Sequence, residues 1–456
     1  MTSYFDSAEN GERPDSEERL ISQIPAIELL MKMGFTYLRP EEANELRGGR
    51  TSQVILTSIL RQQLEKLNRI SYRGNEYPFD DTAIDGAIAA ITNLAYESLL
   101  LTSEQIYDLL SLGKSFLQTV EGDRRSFDIG FIDWENPENN AFHVTEEFIV
   151  ERSGSKDKYR PDIVLFVNGI PLAVIECKPP GHVEEGIDDH LLKQQEDGIT
   201  KLYQYCQILG AIDKESGMYG TLGTKKKFWS QWKAEVNQSA LRKIVNAHLP
   251  DEDRVRLFWR RAESARVAED PAERLPTAQD RFLFALFRPE ELLKLTRLFV
   301  LYDAGEKKIA RYQQYRAVRN ALERVKTRTD EGVRRGGVVW HTQGSGKSLT
   351  MVMLGKSIAL DPDLAGSRLI LVTDRVELDK QIRDTFRYCG YDPVLAKDGQ
   401  DLRQLIEGGK RTVVTTVINK FERAVKGRKN LDEDENLFVL VDEGHRTNFG
   451  SFHALM

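Results

Sequence analysis

The sequence has few cysteines, no long apolar run and no excess of basic charge. Three cysteines, Cys177, Cys206 and Cys389, occur among 456 residues, and their wide spacing forms no metal-binding or disulfide pattern. No apolar run approaches the ~18 residues of a membrane span, and the polar N-terminus is unlike a signal peptide. These absences predict a cytoplasmic protein with no membrane partner.

Charge and composition narrow the class of protein further. The net charge of −7 gives no global basic field, so any contact with nucleic acid has to come from local clusters. With 40% hydrophobic and 30% charged residues, the chain is long enough for two or three domains with cores of their own. It contains no internal repeat and no low-complexity tract.

Residues 336–348 read Gly-Gly-Val-Val-Trp-His-Thr-Gln-Gly-Ser-Gly-Lys-Ser, which is typical of a nucleotide-binding loop. Gly344 and Gly346, on either side of Ser345, let the backbone approach phosphates closely. Lys347 can reach the β- and γ-phosphates, and Ser348 can ligate Mg²⁺ where a helix begins. The alternative is a glycine-rich turn without a ligand.

The surroundings of this loop fit the same interpretation. Residues 338–340 are apolar and predict a strand entering the loop, while residues 349–360 have apolar positions at helical spacing. His341 stands where the standard pattern has glycine, which makes this a variant loop.

A stretch that carries two carboxylates lies at residues 437–445. A buried-strand pattern there ends in Asp442 and Glu443. This arrangement predicts that Asp442 holds Mg²⁺ and that Glu443 polarises the attacking water.

A cluster of polar residues belongs to a predicted hairpin at residues 160–178. Two apolar strands flank Asn168 and Gly169, with Asp162 entering the first strand and Glu176 and Lys178 leaving the second. The start of one strand meets the end of the other, so these three side chains converge into a metal-and-lysine cluster.

Strand parity sets a condition on this hairpin. A plain two-residue turn would place Asp162 and Glu176 on opposite faces. We therefore predict a three-residue loop or a bulge, with Gly169 at positive φ and the two carboxylates about 4 to 5 Å apart. The active-site face would then carry Val164, Phe166, Leu172 and Val174, and the opposite face Ile163, Leu165, Ala173, Ile175 and Cys177. Because both faces are apolar, the hairpin should be central and covered by helices.

Other stretches predict scaffold elements. Helices are expected at residues 16–37, 53–67, 83–100 and 289–301, strands at 127–134 and 141–150, and a linker at 270–277. Residues 225–233 interleave lysines with aromatics, which suits either a nucleic-acid contact or a solvated turn before an amphipathic helix.

The motifs around the nucleotide loop resemble those of superfamily 2 helicases and translocases. Asp-Glu-Gly-His at 442–445 is similar to their Asp-Glu-x-His box, and Gln314 to the Q motif that reads adenine. Residues 369–378 resemble motif Ia and residues 413–416 motif Ib, although 413–416 fits an ordinary strand equally well. The resemblance implies ATP and Mg²⁺ as cofactors.

The hairpin cluster resembles the PD-(D/E)xK nuclease core. That resemblance implies that Asp162, Glu176 and the backbone carbonyl of Cys177 bind Mg²⁺, while Lys178 positions the water or stabilises the phosphorane. RecB-like members add Gln-x-x-x-Tyr on the next helix. Here Tyr205 is present, but Lys201 replaces the glutamine, so the role of this helix stays open. Glu17 or Glu18 is either a further metal-supporting carboxylate or a helix cap.

A nuclease core ahead of such a motor resembles the restriction (R) subunit of type I restriction-modification enzymes. The resemblance implies ATP-dependent translocation of double-stranded DNA and cleavage away from an unmethylated site, together with methyltransferase (M) and specificity (S) subunits. The alternatives are a repair helicase-nuclease acting on DNA ends and an ATP-dependent remodelling protein with an inert nuclease fold.

The expected fold class is α/β. Residues 1–205 would form a mixed-sheet nuclease domain with flanking helices, residues 206–305 a mostly helical linker region, and residues 306–456 a first RecA-like parallel lobe. No motif III follows Glu443, which predicts an N-terminal fragment of a longer motor.

Overall fold

The computed structural model describes residues 18–258, 273–303, 305–330, 332–340, 342, 345–373, 386, 393–407, 413–425 and 436–442. Several predicted positions lie outside these residues: Glu17, His341, Gly344, Cys389 and Glu443, together with residues 374–378 of the stretch that resembles motif Ia. No helix among the described residues is long and apolar enough to cross a membrane.

The first part of the chain alternates helices with strands. In chain order the elements are α1 (Ile24–Lys32), β1 (Thr36–Leu38), α2 (Pro40–Leu46), α3 (Thr57–Leu67), β2 (Ile70–Tyr72), β3 (Asn75–Tyr77), α4 (Asp81–Thr92), α5 (Leu99–Leu112), β4 (Lys114–Val120), β5 (Asp123–Ile129), β6 (Phe142–Glu146), β7 (Val150–Glu151), β8 (Lys158–Tyr159), β9 (Ile163–Val167), β10 (Ile170–Cys177), α6 (Val183–Lys193), α7 (Thr200–Tyr203), β11 (Ile208–Asp213) and β12 (Ser216–Gly220). A short π-helix, Arg19–Gln23, leads into α1.

The remaining elements connect to and build a second sheet. They are α8 (Gln238–Val245), α9 (Asp251–Leu257), α10 (Ala278–Leu286), α11 (Pro289–Phe299), β13 (Val300–Asp303), β14 (Glu306–Ile309), α12 (Tyr312–Lys326), α13 (Lys347–Leu360), β15 (Arg368–Thr373), β16 (Val394–Leu395), α14 (Gly399–Glu407), β17 (Val413–Val417), α15 (Ile418–Val425) and β18 (Leu437–Val441).

The first sheet is mixed and has six strands in the order β1-β6-β9-β10-β11-β12. β9 pairs antiparallel with both β6 and β10, whereas β10 runs parallel to β11. Every residue of β9 and β10 is buried, as expected for central strands covered on both faces. The hairpin is therefore central, as its sequence predicts.

The β9–β10 connection confirms the bulge among the two predicted alternatives, whereas the three-residue loop is wrong. Asn168 and Gly169 form a two-residue turn with φ of 52° and 81°, and Val167 pairs with Ile170. The register then shifts between Pro171 and Ala173. The bulge at Leu172 moves the later part of β10 by one residue and so restores the shared face.

The turn residues are fixed by their surroundings. A Cβ on Gly169 would lie 2.5 Å from the carbonyl oxygen of Leu56, so the position requires glycine. The buried Asn168 side chain accepts a hydrogen bond from the Ala141 backbone N–H at 2.8 Å and donates to the carbonyl of Phe131 at 2.9 Å. These bonds leave the turn no freedom to slip register.

The second sheet is parallel, and its described strands follow the order β16-β17-β15-β18. β17 is a buried strand, which confirms the strand expected at residues 413–416, while a motif Ib role for it stays a prediction. The strand expected at residues 338–340 is wrong. Those residues are irregular, and Val338 and Trp340 are 88% and 89% exposed. An apolar run becomes a strand only where a neighbouring strand offers its backbone a ladder.

Other boundaries also differ from expectation. The single helix expected at 83–100 is two helices, because the Ser98 side chain caps a new helix at Leu99. Residues 208–220 add β11 and β12 to the first sheet, so a boundary after residue 205 cuts that sheet and the start of the expected helical region is strand. The strand expected at 127–134 ends at Ile129.

The two sheets are joined through one face of α5. Lys356 of α13 is buried and donates a 2.7 Å hydrogen bond to the Tyr107 hydroxyl. One turn earlier on α5, Ser103 accepts a 3.1 Å bond from the buried Lys307 of β14. Lys307 also donates to the carbonyl of Cys206 at 3.0 Å, so two buried lysines tie the later elements to the first domain.

Lys307→Met should flatten the pH dependence of stability. Burial lowers the pKa of Lys307 to about 7, whereas an unfolded lysine titrates near ~10.4. Between these values the unfolded chain binds a proton that the folded chain does not, so stability rises with pH. Urea denaturation at several pH values between 7 and 9 measures the free energy of unfolding. We expect this free energy to rise with pH more steeply in the parent protein than in the variant, by up to about 1.4 kcal/mol per pH unit.

The neighbouring Lys308→Met serves as the control, because Lys308 is partly exposed and pairs with Asp303. Its pH profile should run parallel to that of the parent. Identical slopes for the parent and Lys307→Met would contradict a neutralised buried amine.

Candidate functional site

The hairpin brings its predicted polar residues together at one edge of the first sheet. Ile163 pairs with Ile175, so Asp162 and Glu176, the next position outward on each strand, oppose each other on one face. The Asp162 Oδ2 atom accepts a 2.7 Å hydrogen bond from the Cys177 backbone N–H. The predicted convergence of the two carboxylates is therefore present.

Glu176 has a partner that the sequence analysis missed. The carboxylate is fully buried, and its Oε2 atom lies 2.6 Å from the Nζ of Lys193, the last residue of α6. Its other oxygen, Oε1, is buried without a hydrogen-bond partner. Glu176 thus presents one neutralised oxygen and one unsatisfied oxygen.

Lys178 also has partners on neighbouring helices. Its Nζ lies 2.7 Å from Asp189 Oδ2 on α6 and 3.8 Å from Glu18 Oε2 at the start of the π-helix. Glu18 makes no side-chain cap bond to its helix, so the capping interpretation is not supported for this residue. The ammonium group therefore lies between carboxylates from two elements.

The close approach of these charges shifts their pKa values. Burial and the neighbouring Glu176 carboxylate raise the pKa of Asp162 above its usual range. Burial and then the charge of Asp162 raise the pKa of Glu18 to about 7. Burial alone would lower the pKa of Lys193, but Glu176 and Asp162 outweigh burial and raise it. Clustered shifts of this kind are typical of functional sites.

A buried polar network supports the cluster from behind. Glu146 of β6 forms a buried ion pair with Arg19 and accepts a 2.7 Å hydrogen bond from the Tyr37 hydroxyl. Gln23 donates both to Glu146 and, at 3.1 Å, to the backbone carbonyl of Asp162. The π-helix is thereby fixed against the strand ends.

The helix expected to extend the nuclease motif does not reach this cluster. Lys201 is exposed, and the hydroxyl of the buried Tyr205 donates a 2.8 Å hydrogen bond to the Ile91 carbonyl. Tyr203 instead bonds His190 of α6 at 2.8 Å. The available signal for α6 was a helical run after the Glu-x-Lys with Asp189 and Lys193 four residues apart.

Much of the lysine and aromatic stretch at 225–233 is part of the scaffold. Trp229 is buried and stacks on His190 with ring centroids 5.2 Å apart. Trp232 packs on Tyr315 at 4.9 Å. Lys226 pairs with Asp188 at 2.8 Å. These contacts leave the other lysines as the candidates for a phosphate contact.

The nucleotide loop opens α13 as predicted. Gly346 has a φ of 83° and precedes Lys347, the first residue of the helix. The Ser348 hydroxyl lies 3.3 Å from Asp442 Oδ2, so the two predicted Mg²⁺ ligands of this site are adjacent. Asp442 directly follows β18, at the carboxyl edge of the parallel sheet.

Gln314 contacts this loop directly. Its Oε1 accepts a 2.9 Å bond from the Arg311 backbone N–H, and its Nε2 donates to the carbonyls of Gly346 at 3.2 Å and Ser345 at 3.5 Å. A Cβ on Gly346 would lie 2.5 Å from the Gln314 amide nitrogen. The positive φ favours glycine here, and a larger residue would also displace the Gln314 side chain.

A cavity of about 540 Å³ lies beside the loop. Its lining includes Arg311, Gln314, Gly346, Tyr219, Lys225 and Phe228. This volume is within the range of small-molecule sites.

The donor set limits how a metal could bind in the described part of the chain. No three His, Cys, Asp or Glu side chains there are grouped so as to hold a metal ion. A cation at the hairpin cluster would therefore need backbone or water oxygens beside Asp162 and Glu176.

Comparison with known proteins gives two family matches. Residues 15–228 match the type I restriction enzyme R protein N terminus family, and residues 313–456 match the SWI2/SNF2 ATPase family. These ranges include the hairpin cluster and the nucleotide loop respectively.

Curated relatives match most of the chain. It is 30% identical over 451 residues to the type I restriction enzyme HindI endonuclease subunit of Haemophilus influenzae, covering 93% of this chain and 38% of the relative. A putative type I restriction enzyme MjaIXP endonuclease subunit of Methanocaldococcus jannaschii is 27% identical, with coverages of 95% and 40%. The Staphylococcus aureus SauMRSORF196P endonuclease subunit is 24% identical, with 89% and 41%. The chain thus spans about two fifths of the length of these relatives.

Lys193→Met should destabilise the first domain by about 3 to 5 kcal/mol, because it leaves the buried Glu176 charge without its partner. Urea denaturation at neutral pH measures the loss. Glu176→Gln combined with Lys193→Met should recover part of it, since the uncompensated charge is then gone.

The exposed Lys201→Met is the matched control and should stay within about 0.5 kcal/mol of the parent. Equal stabilities for Lys193→Met and Lys201→Met would contradict the ion pair.

Proposed function

We propose, from the chain's membership of the type I restriction enzyme R protein family, that it forms the nuclease and first motor lobe of an ATP-dependent restriction endonuclease. The full-length protein would translocate double-stranded DNA and cut it away from an unmethylated recognition site, together with methyltransferase and specificity subunits. The observation that carries this proposal is the convergence of Asp162, Glu176 and Lys178 at one sheet edge, in the same chain as the adjacent Ser348 and Asp442.

The nuclease half of the proposal assigns residues 18–228 a PD-(D/E)xK core. Asp162, Glu176 and the backbone carbonyl of Cys177 would hold Mg²⁺. The buried and unpartnered Oε1 of Glu176 supports this fit, because a buried carboxylate oxygen without a partner is costly unless a ligand satisfies it. When bound, Mg²⁺ supplies Lewis-acid activation of water and neutralises charge at the scissile phosphate.

The chain's own residues prepare this reaction. Lys193 neutralises one oxygen of Glu176 and so leaves Oε1 as the oxygen available for a ligand. Asp162 is held by the Cys177 N–H and by Gln23 at its backbone. Lys178 places a cation beside the pair, where it would orient water or stabilise the phosphorane. Glu18 is a candidate for a supporting carboxylate.

The motor half of the proposal assigns the later sheet to a RecA-like ATPase lobe. Lys347 would bind the β- and γ-phosphates, while Ser348 and Asp442 would hold the nucleotide's Mg²⁺. Gln314 would read adenine from the wall of the neighbouring cavity, close to the backbone of Ser345 and Gly346. Gly344 would complete the loop and Glu443 would polarise the attacking water.

Asp162→Ala or Lys178→Ala in the full-length assembled enzyme should abolish DNA cleavage and leave DNA-dependent ATP hydrolysis intact. The two sites lie on separate sheets, so loss of the metal cluster does not touch the phosphate loop. Plasmid cleavage and phosphate release measured on one preparation test this division. Loss of ATP hydrolysis along with cleavage, in folded protein, would refute it.

Lys347→Ala should remove ATP hydrolysis and, with it, cleavage that depends on translocation. The γ-phosphate loses its positioned cation. In comparable electrostatic contacts this costs about 3 to 4 kcal/mol of transition-state stabilisation. Phosphate release in the presence of DNA measures the effect. The buried Lys356 on the same helix is unsuitable as a control, so the exposed Lys397→Ala is used and should hydrolyse ATP normally. Parent-level hydrolysis in Lys347→Ala would exclude this loop as the ATP site.

A further inference from the structure

Helix α6 is fixed against the strand that carries Glu176. A Cβ on Gly186 would lie 3.1 Å from the Ala211 Cβ and 3.4 Å from the Glu176 Cβ, so the missing side chain permits close packing. His190 bonds the Gly210 carbonyl at 2.8 Å through Nε2 and the Tyr203 hydroxyl at 2.8 Å through Nδ1. The helix therefore cannot rotate or slide freely over the strand end.

Two charged residues of α6 pair with two residues of opposite charge at the end of β10. Asp189 and Lys193 lie one helical turn apart, and Glu176 and Lys178 lie two residues apart on the strand. Lys193 pairs with Glu176 at 2.6 Å, and Asp189 pairs with Lys178 at 2.7 Å. Opposite charges thus meet at both ends of the Glu-x-Lys, and like charges are kept apart.

Lys178 has a second, more distant carboxylate in reach. Glu18 is 3.8 Å from its Nζ and belongs to the π-helix, on another side of the cluster. Among the described residues, removal of Asp189 would leave Glu18 as the carboxylate within 4 Å of the ammonium group. A lysine stem has several rotatable bonds, so its charge would be redirected toward the π-helix.

We propose that Asp189 is a positioning residue of the nuclease reaction, which holds the Lys178 ammonium group beside the Asp162 and Glu176 carboxylates. This inference rests on the proposed nuclease function. Asp189 contacts neither the expected metal ligands nor the phosphate loop in the described structure. Its loss therefore affects the rate of cleavage rather than metal binding or ATP hydrolysis.

The test compares Asp189→Asn with Asp188→Asn in the full-length assembled enzyme. Asp188 is adjacent on the same helix but pairs with Lys226 on the outer surface. At saturating Mg²⁺, Asp189→Asn should lower the maximal cleavage rate at least ~10-fold, since small misplacement of a catalytic group costs up to ~100-fold. Asp188→Asn should cleave like the parent, and Asp189→Glu should recover much of the rate because it restores the carboxylate.

A second readout does not depend on cleavage. Mn²⁺ binding without nucleotide, followed by electron paramagnetic resonance, should change by no more than about fivefold in Asp189→Asn, as expected for loss of a half-exposed charge. Glu176→Gln should abolish binding at this site. DNA-dependent ATP hydrolysis should match the parent in every variant and reports that each is folded.

The outcomes separate the two proposals. If Glu176→Gln still cleaves DNA, the proposed nuclease site is wrong. If Glu176→Gln is inactive but Asp189→Asn cleaves within about twofold of the parent, or if Asp188→Asn loses as much, the role of Asp189 is wrong. An Asp189→Asn protein that fails to fold is replaced by Asp189→Ser, and an equal loss in Asp189→Glu would also overturn the inference.

Discussion

The position of one β-bulge governs which face of the central hairpin carries charge. Side chains alternate along a strand, so a one-residue shift transfers every residue of β10 beyond it to the other face. The bulge at Leu172 makes this shift after a tight Asn168-Gly169 turn. With it, Glu176 opposes Asp162. Without it, Ile175 would oppose Asp162, and the carboxylates would be separated by the sheet. The burial of Asn168 and the close contact at Gly169 hold this register in place.

The two carboxylates at this sheet edge are stabilised by positively charged side chains that lie beside them. Two carboxylates brought together inside a protein repel each other and lose hydration, a cost of several kcal/mol for each unpaired ion. Lys193 from α6 and Lys178 from the strand end offset that cost, and Asp189 and Glu18 in turn balance Lys178. The cluster thus groups four carboxylates with two lysines, and the Glu176 Oε1 atom stays without a hydrogen-bond partner.

The sequence predicts most of what depends on neighbours along the chain. The central hairpin, the positive φ of Gly169, the helix after Gly346 and the approach of Ser348 to Asp442 all follow from local pattern and spacing. The exact position of the bulge does not follow from the local pattern, because any of several apolar residues near Leu172 could be the extra residue of the bulge. Lys193 and Asp189 were missed for a related reason. Their partners are 17 and 11 positions away along the chain, and only the packing of α6 on β10 makes them neighbours. Residues 338–340 show the opposite error, in which an apolar pattern was read as a strand without a partner strand.

Buried polar contacts on α5 connect the two sheets. Lys356 on α13 bonds Tyr107. Lys307 on β14 bonds Ser103 and the Cys206 carbonyl, just before β11. β11 pairs directly with β10, so a continuous path of buried contacts runs from α13 to the strand that carries Glu176. Breaking such bonds would leave a buried nitrogen without a hydrogen-bond partner, at a cost of about 1 to 3 kcal/mol. Contiguity alone does not establish energetic coupling, which needs an element with two states. The two sheets are therefore connected by buried polar contacts on one face of α5, each of which has a large cost if it is broken without replacement.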